Sequence, residues 1–207
     1  MPGPENTKLR ERLDRGEPVF GVTFYTGSTA AIEAGGNWGL LAAFIDAEHA
    51  PTNIDGHMEK LILAALLSGI APLVRVRGTN EWDIRKSLEI GATGVIVPQV
   101  GTAAEARAIV RAAKFPPFGR RGGDASCRAA GFAGPGFQWS SYMERENATR
   151  LVIPMAESYE FFDNIDEILD VEASMSSISV RRTTRYPAAF RSTIRCRIPR
   201  SRRSWPS

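Results

Sequence analysis

Five short apolar runs, each bounded by Gly, Pro or charge and most of them separated by stretches with helical spacing, constrain this chain more than any other feature. They fall at 19–24, 40–45, 72–76, 94–97 and 151–155 and read as strands buried on both faces. Apolar side chains recur at helical spacing over 54–67 (Met58, Leu61, Ile62, Ala65, Leu66) and 82–90. Thr102 with Glu105 three residues on is a capping box that opens a helix over 102–113, and a last helix is read over 160–169. Doubly buried strands spaced by helices predict a parallel sheet, because a parallel strand needs a long crossover connection. The segment 114–150 is the exception. Its 37 residues hold Pro116, Pro117, Pro135 and six glycines, and a connection this long is usually functional or disordered.

Charge divides the chain sharply. Residues 173–207 contain nine Arg and eight Ser but no Lys, Asp or Glu. The first 172 residues therefore hold 17 of the 26 basic side chains against all 23 acidic ones, a net of −6. The overall basic character belongs to the last sixth, so total charge is no argument for a nucleic-acid partner. Tyr186, Phe190 and Trp205 are sparse for base stacking, and a basic-tailed binding protein is the lesser reading. No run of about 18 apolar residues exists, and the first 15 residues are polar with mixed charge, which predicts a cytoplasmic protein without a membrane span. Cys127 and Cys196 have no partner spacing for a metal knuckle or a disulfide framework.

In a repeated strand–helix fold the reacting groups gather at the C-terminal ends of strands. Asp46 and His49 follow the second run, Arg75 ends the third, and Glu157 follows the fifth. Each has an ordinary alternative: His49 as a loop histidine, Asp46 as a helix cap, Glu157 as a first-turn acid favoured by the helix dipole. Together they supply a base, a cation for a carboxylate and a metal ligand at matching strand ends. Lys8, Lys60, Lys86 and Lys114 are the only lysines, and all lie in polar or helical contexts away from strand ends.

Several segments in order resemble the HpcH/HpaI aldolase and citrate lyase family: Phe44-Ile45-Asp46-Ala47-Glu48-His49-Ala50-Pro51, Pro72-Leu73-Val74-Arg75-Val76, Gly91 to Pro98, Phe115-Pro116-Pro117-Phe118-Gly119-Arg120-Arg121-Gly122, and the stretch around Glu157. The resemblance implies an α/β fold, here an incomplete TIM (β/α)8 barrel of about five βα units over 19–172. This unit follows an N-terminal segment, 1–18, that either docks on the barrel's bottom or frays, and precedes an irregular basic tail, 173–207. It implies a divalent cation (Mg, Mn or Co), a 2-oxo acid and an aldehyde as substrates, and a homo-oligomer. Glu157 matches the metal ligand, His49 the general base, Asp46 its neighbour, and Arg75 the residue that grips the oxo-acid carboxylate and carbonyl oxygen. Met155 stands where family members often carry Gln. The implied chemistry, making or breaking a carbon–carbon bond beside a carbonyl, requires an enolate stabilised by a metal or a Schiff-base lysine; an alternative keeps that enolate but starts from oxaloacetate decarboxylation. The acceptor aldehyde is expected to be read by loops, part of 114–150 among them.

The resemblance stops after Glu172, where a sixth strand and a Gly-Pro-X-Asp motif carrying the second metal ligand are expected. Re-reading 173–207 from the third base of each codon permits such a strand followed by Gly-Pro-Ala-Asp. A frameshift or mispredicted splice junction between Glu172 and Ala173 is therefore expected. Five strands cannot close an eight-stranded barrel, so the literal chain is expected to be unstable, to bind metal poorly and to have little or no lyase activity.

Overall fold

The computed structural model describes residues 4–17 and 19–171. The five apolar runs become β1 (Gly21–Phe24), β2 (Ala42–Asp46), β3 (Ala71–Arg75), β4 (Gly94–Val97) and β5 (Leu151–Pro154). All pair in parallel, and their spatial order is their sequence order. A doubly wound sheet would reverse that order at a switch point. Monotonic winding instead gives an arc of a TIM-type barrel, as the fold reading predicts.

Alternation along the strands sorts the core into two layers. Ala43, Ile45, Val74, Val95 and Val152 point outward and pack on the helices. Ala42, Leu73, Ile96, Leu151, Ile153 and Met155 point inward. The inner layer also takes Leu9 from α1 (Pro4–Asp14), so the N-terminal segment docks rather than frays; Leu9 meets Ala42, Ala71 and Leu151 at the strands' N-terminal ends.

The remaining helices are α2 (Thr29–Asn37), α3 (Met58–Leu67), α4 (Glu81–Glu89), α5 (Ala103–Ala113), α6 (Trp139–Thr149), α7 (Tyr159–Asp163) and α8 (Ile165–Leu169). The capping box is formed: the Thr102 hydroxyl accepts from Glu105 N–H, and the Glu105 carboxylate accepts from Thr102 N–H. The helix read over 160–169 is broken at Asn164, whose side-chain amide donates to the Gly101 carbonyl at 2.9 Å. Besides α1, which was read only as an N-terminal segment, two helices escaped the sequence reading. In α2, Gly35-Gly36 looks like a turn, yet Gly36 marks a close crossing: a Cβ there would lie 2.5 Å from the Ser68 carbonyl oxygen beyond α3.

The segment 114–150 is ordered and contains the other unpredicted helix, α6. It leaves the C-terminal end of α5 and returns to the N-terminal end of β5, with Arg120 on Glu81 of α4 and Arg128 on Glu59 of α3. Its anchor is Glu146, 1% exposed, which accepts from Arg150 Nε (2.9 Å), Arg150 Nη2 (2.6 Å) and Arg121 Nη1 (3.1 Å). Lys114, fully buried, donates from Nζ to the carbonyls of Asn147 (2.8 Å) and Arg150 (2.6 Å) at the end of α6. The polar context read for Lys114 is thus corrected to a buried one. Its placement still keeps it from the C-terminal strand ends. Among the described residues no helix is long and apolar enough to cross a membrane. The tail readings, Cys196 and Glu172 lie outside the described residues.

Candidate active site

Asp46 and Arg75 end adjacent strands and are direct register partners, so the β2–β3 pairing itself places a carboxylate beside a guanidinium. Arg75 donates from Nε to Asp46 Oδ1 (2.8 Å) and from Nη2 to Oδ2 (2.7 Å), a two-pronged geometry. Asp46 is fully buried and also accepts the backbone N–H of Glu48 (2.9 Å) and His49 (3.4 Å). Burial alone would raise its carboxyl. The Arg75 hydrogen bonds and charge and the two N–H donors outweigh burial and hold it below the usual carboxylate range. Asp46 therefore shapes its own turn and positions Arg75 rather than capping α3, whose N-cap is His57.

Glu48, which the sequence reading passed over, connects the group. Its Oε2 lies 3.3 Å from Arg75 Nη1 and 3.5 Å from His49 Nε2, while the His49 ring is 65% exposed. An arginine has five N–H donors. Asp46 takes the Nε/Nη2 edge and Glu48 faces Nη1, so the count leaves donors over at the Nη1/Nη2 end. That end suits a planar ligand with two oxygens.

Arg75 and Asp46 line a recess with Thr23, Tyr25, Phe44, Ile96 and Met155, all in the inward phase of the strands. None of the described residues of 114–150 lines this recess. Thr23 and Tyr25 were not singled out from sequence, although their alternation with outward Phe24 was the available signal.

Glu157 does not line this recess. It is exposed beyond β5, and its Oε1 accepts the Gln99 backbone N–H at 2.8 Å. Gln99, at the end of β4, holds a left-handed φ of 59°, uncommon for a residue with a side chain. Among the described residues no three His, Cys, Asp or Glu side chains gather as a metal shell. With Asp46 committed to Arg75, the donor set does not by itself fit a divalent cation. His57, the other histidine, has a structural contact: its Nε2 lies 3.0 Å from the Gly27 carbonyl, joining the loops after β1 and β2. A Cβ at Gly27 would fall 2.6 Å from the His57 ring.

The model of the family described as HpcH/HpaI aldolase/citrate lyase matches residues 27–180. The chain belongs to this family. It is 35% identical over 173 residues to the hydroxypyruvate/pyruvate aldolase of Roseobacter denitrificans, covering 83% of this chain and 65% of that one. It is 34% identical over 164 residues to a 2-keto-3-deoxy-L-rhamnonate aldolase of Escherichia coli, covering 79% and 60%. The solved HpcH/HpaI aldolase of Desulfitobacterium hafniense superposes with a TM-score of 0.76 at 27% identity, over 84% of this chain and 66% of that one. The chain thus spans less than two thirds of the length of these curated relatives. Its family is one of aldolases and lyases.

Proposed function

We propose that this chain carries the oxo-acid-binding part of a carbon–carbon lyase that makes or breaks a bond beside the carbonyl of a pyruvate-type 2-oxo acid, with an aldehyde as the other partner. The observation that supports it is the Arg75 guanidinium, held by Asp46 and Glu48 at the mouth of an otherwise largely apolar recess. Arg75 receives the carboxylate and carbonyl oxygen. His49, beside Glu48 and open to solvent, moves the proton of the aldol hydroxyl. Glu157 is the carboxylate that would face Mg, Mn or Co, yet with Asp46 committed to Arg75 no metal shell gathers among the described residues, and no step of this reading runs through a cation. One carboxylate is a poor shell for a hard cation, so weak metal affinity and little or no turnover by the 207-residue chain belong to the same reading.

Saturation-transfer NMR with pyruvate tests the binding step: signal is expected for the parent chain and none for Arg75→Met, and equal signal in both would refute the assignment. Exchange of pyruvate methyl protons in D2O with added Mn is expected at the buffer rate. Fast, metal-dependent exchange would overturn the inactivity.

A further inference from the structure

Tyr25 is the recess residue to which that function gives no task. It follows β1 directly and shares the inward phase with Thr23. The Arg75 Cζ lies 6.0 Å from the centroid of its ring, within range of a cation–π contact. Tyr25 follows the edge strand and is 54% exposed, whereas Ile96 of β4 and Met155 after β5, which line the same recess, are 4% and 3% exposed. The aromatic ring therefore spans the step from the oxo-acid grip to solvent. A group that extends from the oxo carbon toward this side of the recess meets the ring.

The rest of the wall indicates what can pass. Phe44, Ile96 and Met155 offer no hydrogen-bond donor, and the Asp46 acceptors are occupied by Arg75 and two backbone N–H groups. A chain of hydroxyls placed there would find only the Thr23 and Tyr25 hydroxyls as free partners, and each group left unsatisfied costs about 1–3 kcal/mol. A second carboxylate would find no cation of its own in the recess, whose one cationic lining residue, Arg75, is already shared by Asp46, Glu48 and the first carboxylate. A flat apolar group has neither difficulty and can stack on the open face of the ring.

We propose that Tyr25 is a specificity-determining residue that favours 2-oxo acids bearing a planar or apolar group beyond the oxo carbon over dianionic and polyhydroxylated ones. This rests on the reading of Arg75 as the oxo-acid grip. The discriminating experiment titrates the full chain by ligand-observed NMR with three probes: pyruvate, phenylpyruvate and oxaloacetate. Phenylpyruvate is expected to bind at least about tenfold more tightly than pyruvate, and oxaloacetate more weakly than both. Tyr25→Ser should bring the ratio of phenylpyruvate to pyruvate affinity down to about one, and Tyr25→Phe should keep the preference. An unchanged preference in Tyr25→Ser, or oxaloacetate binding best, overturns the proposal while leaving the Arg75 grip intact. Failure of all three probes to bind the parent, or pyruvate binding that survives Arg75→Met, overturns the grip and the proposal with it.

Discussion

Replacing Glu146 by Gln keeps the shape of the side chain and removes one negative charge from a place where two positive ones depend on it. The Arg121 and Arg150 side chains are 0% and 3% exposed, and their ion pairs among the described residues are with Glu146 alone. Three charge-assisted hydrogen bonds, at 2.6, 2.9 and 3.1 Å, are lost or weakened at once. Breaking a buried pair from one side costs about 3–5 kcal/mol, because the surviving charge cannot return to water. Against a total stability of about 5–15 kcal/mol this is about a fifth or more of a typical fold. At roughly 2–4 °C per kcal/mol for this size, the melting temperature should fall by about 6–20 °C. Urea and thermal melts followed by circular dichroism measure it. Burial pushes the Glu146 carboxyl up, but Arg150 and Arg121 together hold it below its usual value, so its contribution is present above the unfolded pKa, about 4.3, and is lost as pH falls through the lower folded value. The gap between parent and variant should close in acid. A loss under about 1 kcal/mol at pH 7, or a gap that widens in acid, would refute the reasoning.

Lys114 carries the opposite dependence. Burial, aided by nearby Arg10 and opposed by Glu146, brings its ammonium down to about 7. The folded state thus disfavours the charged form, and stability should rise between pH 7 and the unfolded value of about 10.4, a rise absent from Lys114→Met. Asp46→Asn turns an acceptor toward Arg75 Nη2 into a donor, so pyruvate affinity should fall at least about tenfold in the NMR titration; unchanged affinity would show that Arg75 needs no such holder. Sequencing of genomic DNA and transcript across codons 165–207 is expected to restore the Gly-Pro-Ala-Asp frame, and an intact frame as written would refute the frameshift.

The strands were legible because their both-face burial leaves uninterrupted apolar runs, and the capping box because its two partners lie three residues apart. Helix α2 was hidden by Gly35-Gly36, whose reason is a neighbour 32 residues away in sequence, the Ser68 carbonyl, rather than a turn. Helix α6 was hidden because what it buries is mainly Tyr142 and Glu146, a polar anchor that no apolar periodicity announces. In the candidate site, Asp46 and Arg75 stood out through chemistry at strand ends. Glu48 did not, since only the folded turn brings one carboxylate within 3.5 Å of both Arg75 and His49. Tyr25 was missed for a similar reason: its closeness to Arg75 spans β1 to β3 and depends on the curvature of the sheet.

Because each strand lies beside its immediate predecessor, the sheet can be laid down in the order in which the ribosome delivers it. Every new strand needs only the edge that the last one left. The interval is not uniform. Fifty-three residues separate Val97 from Leu151, the longest gap between strands. At synthesis rates of about 5–20 residues per second the open edge of β4 waits roughly 3–11 s for its partner. Glu146, near the end of that stretch, is the residue whose arrival neutralises Arg121 and brings α6 in to close the wait.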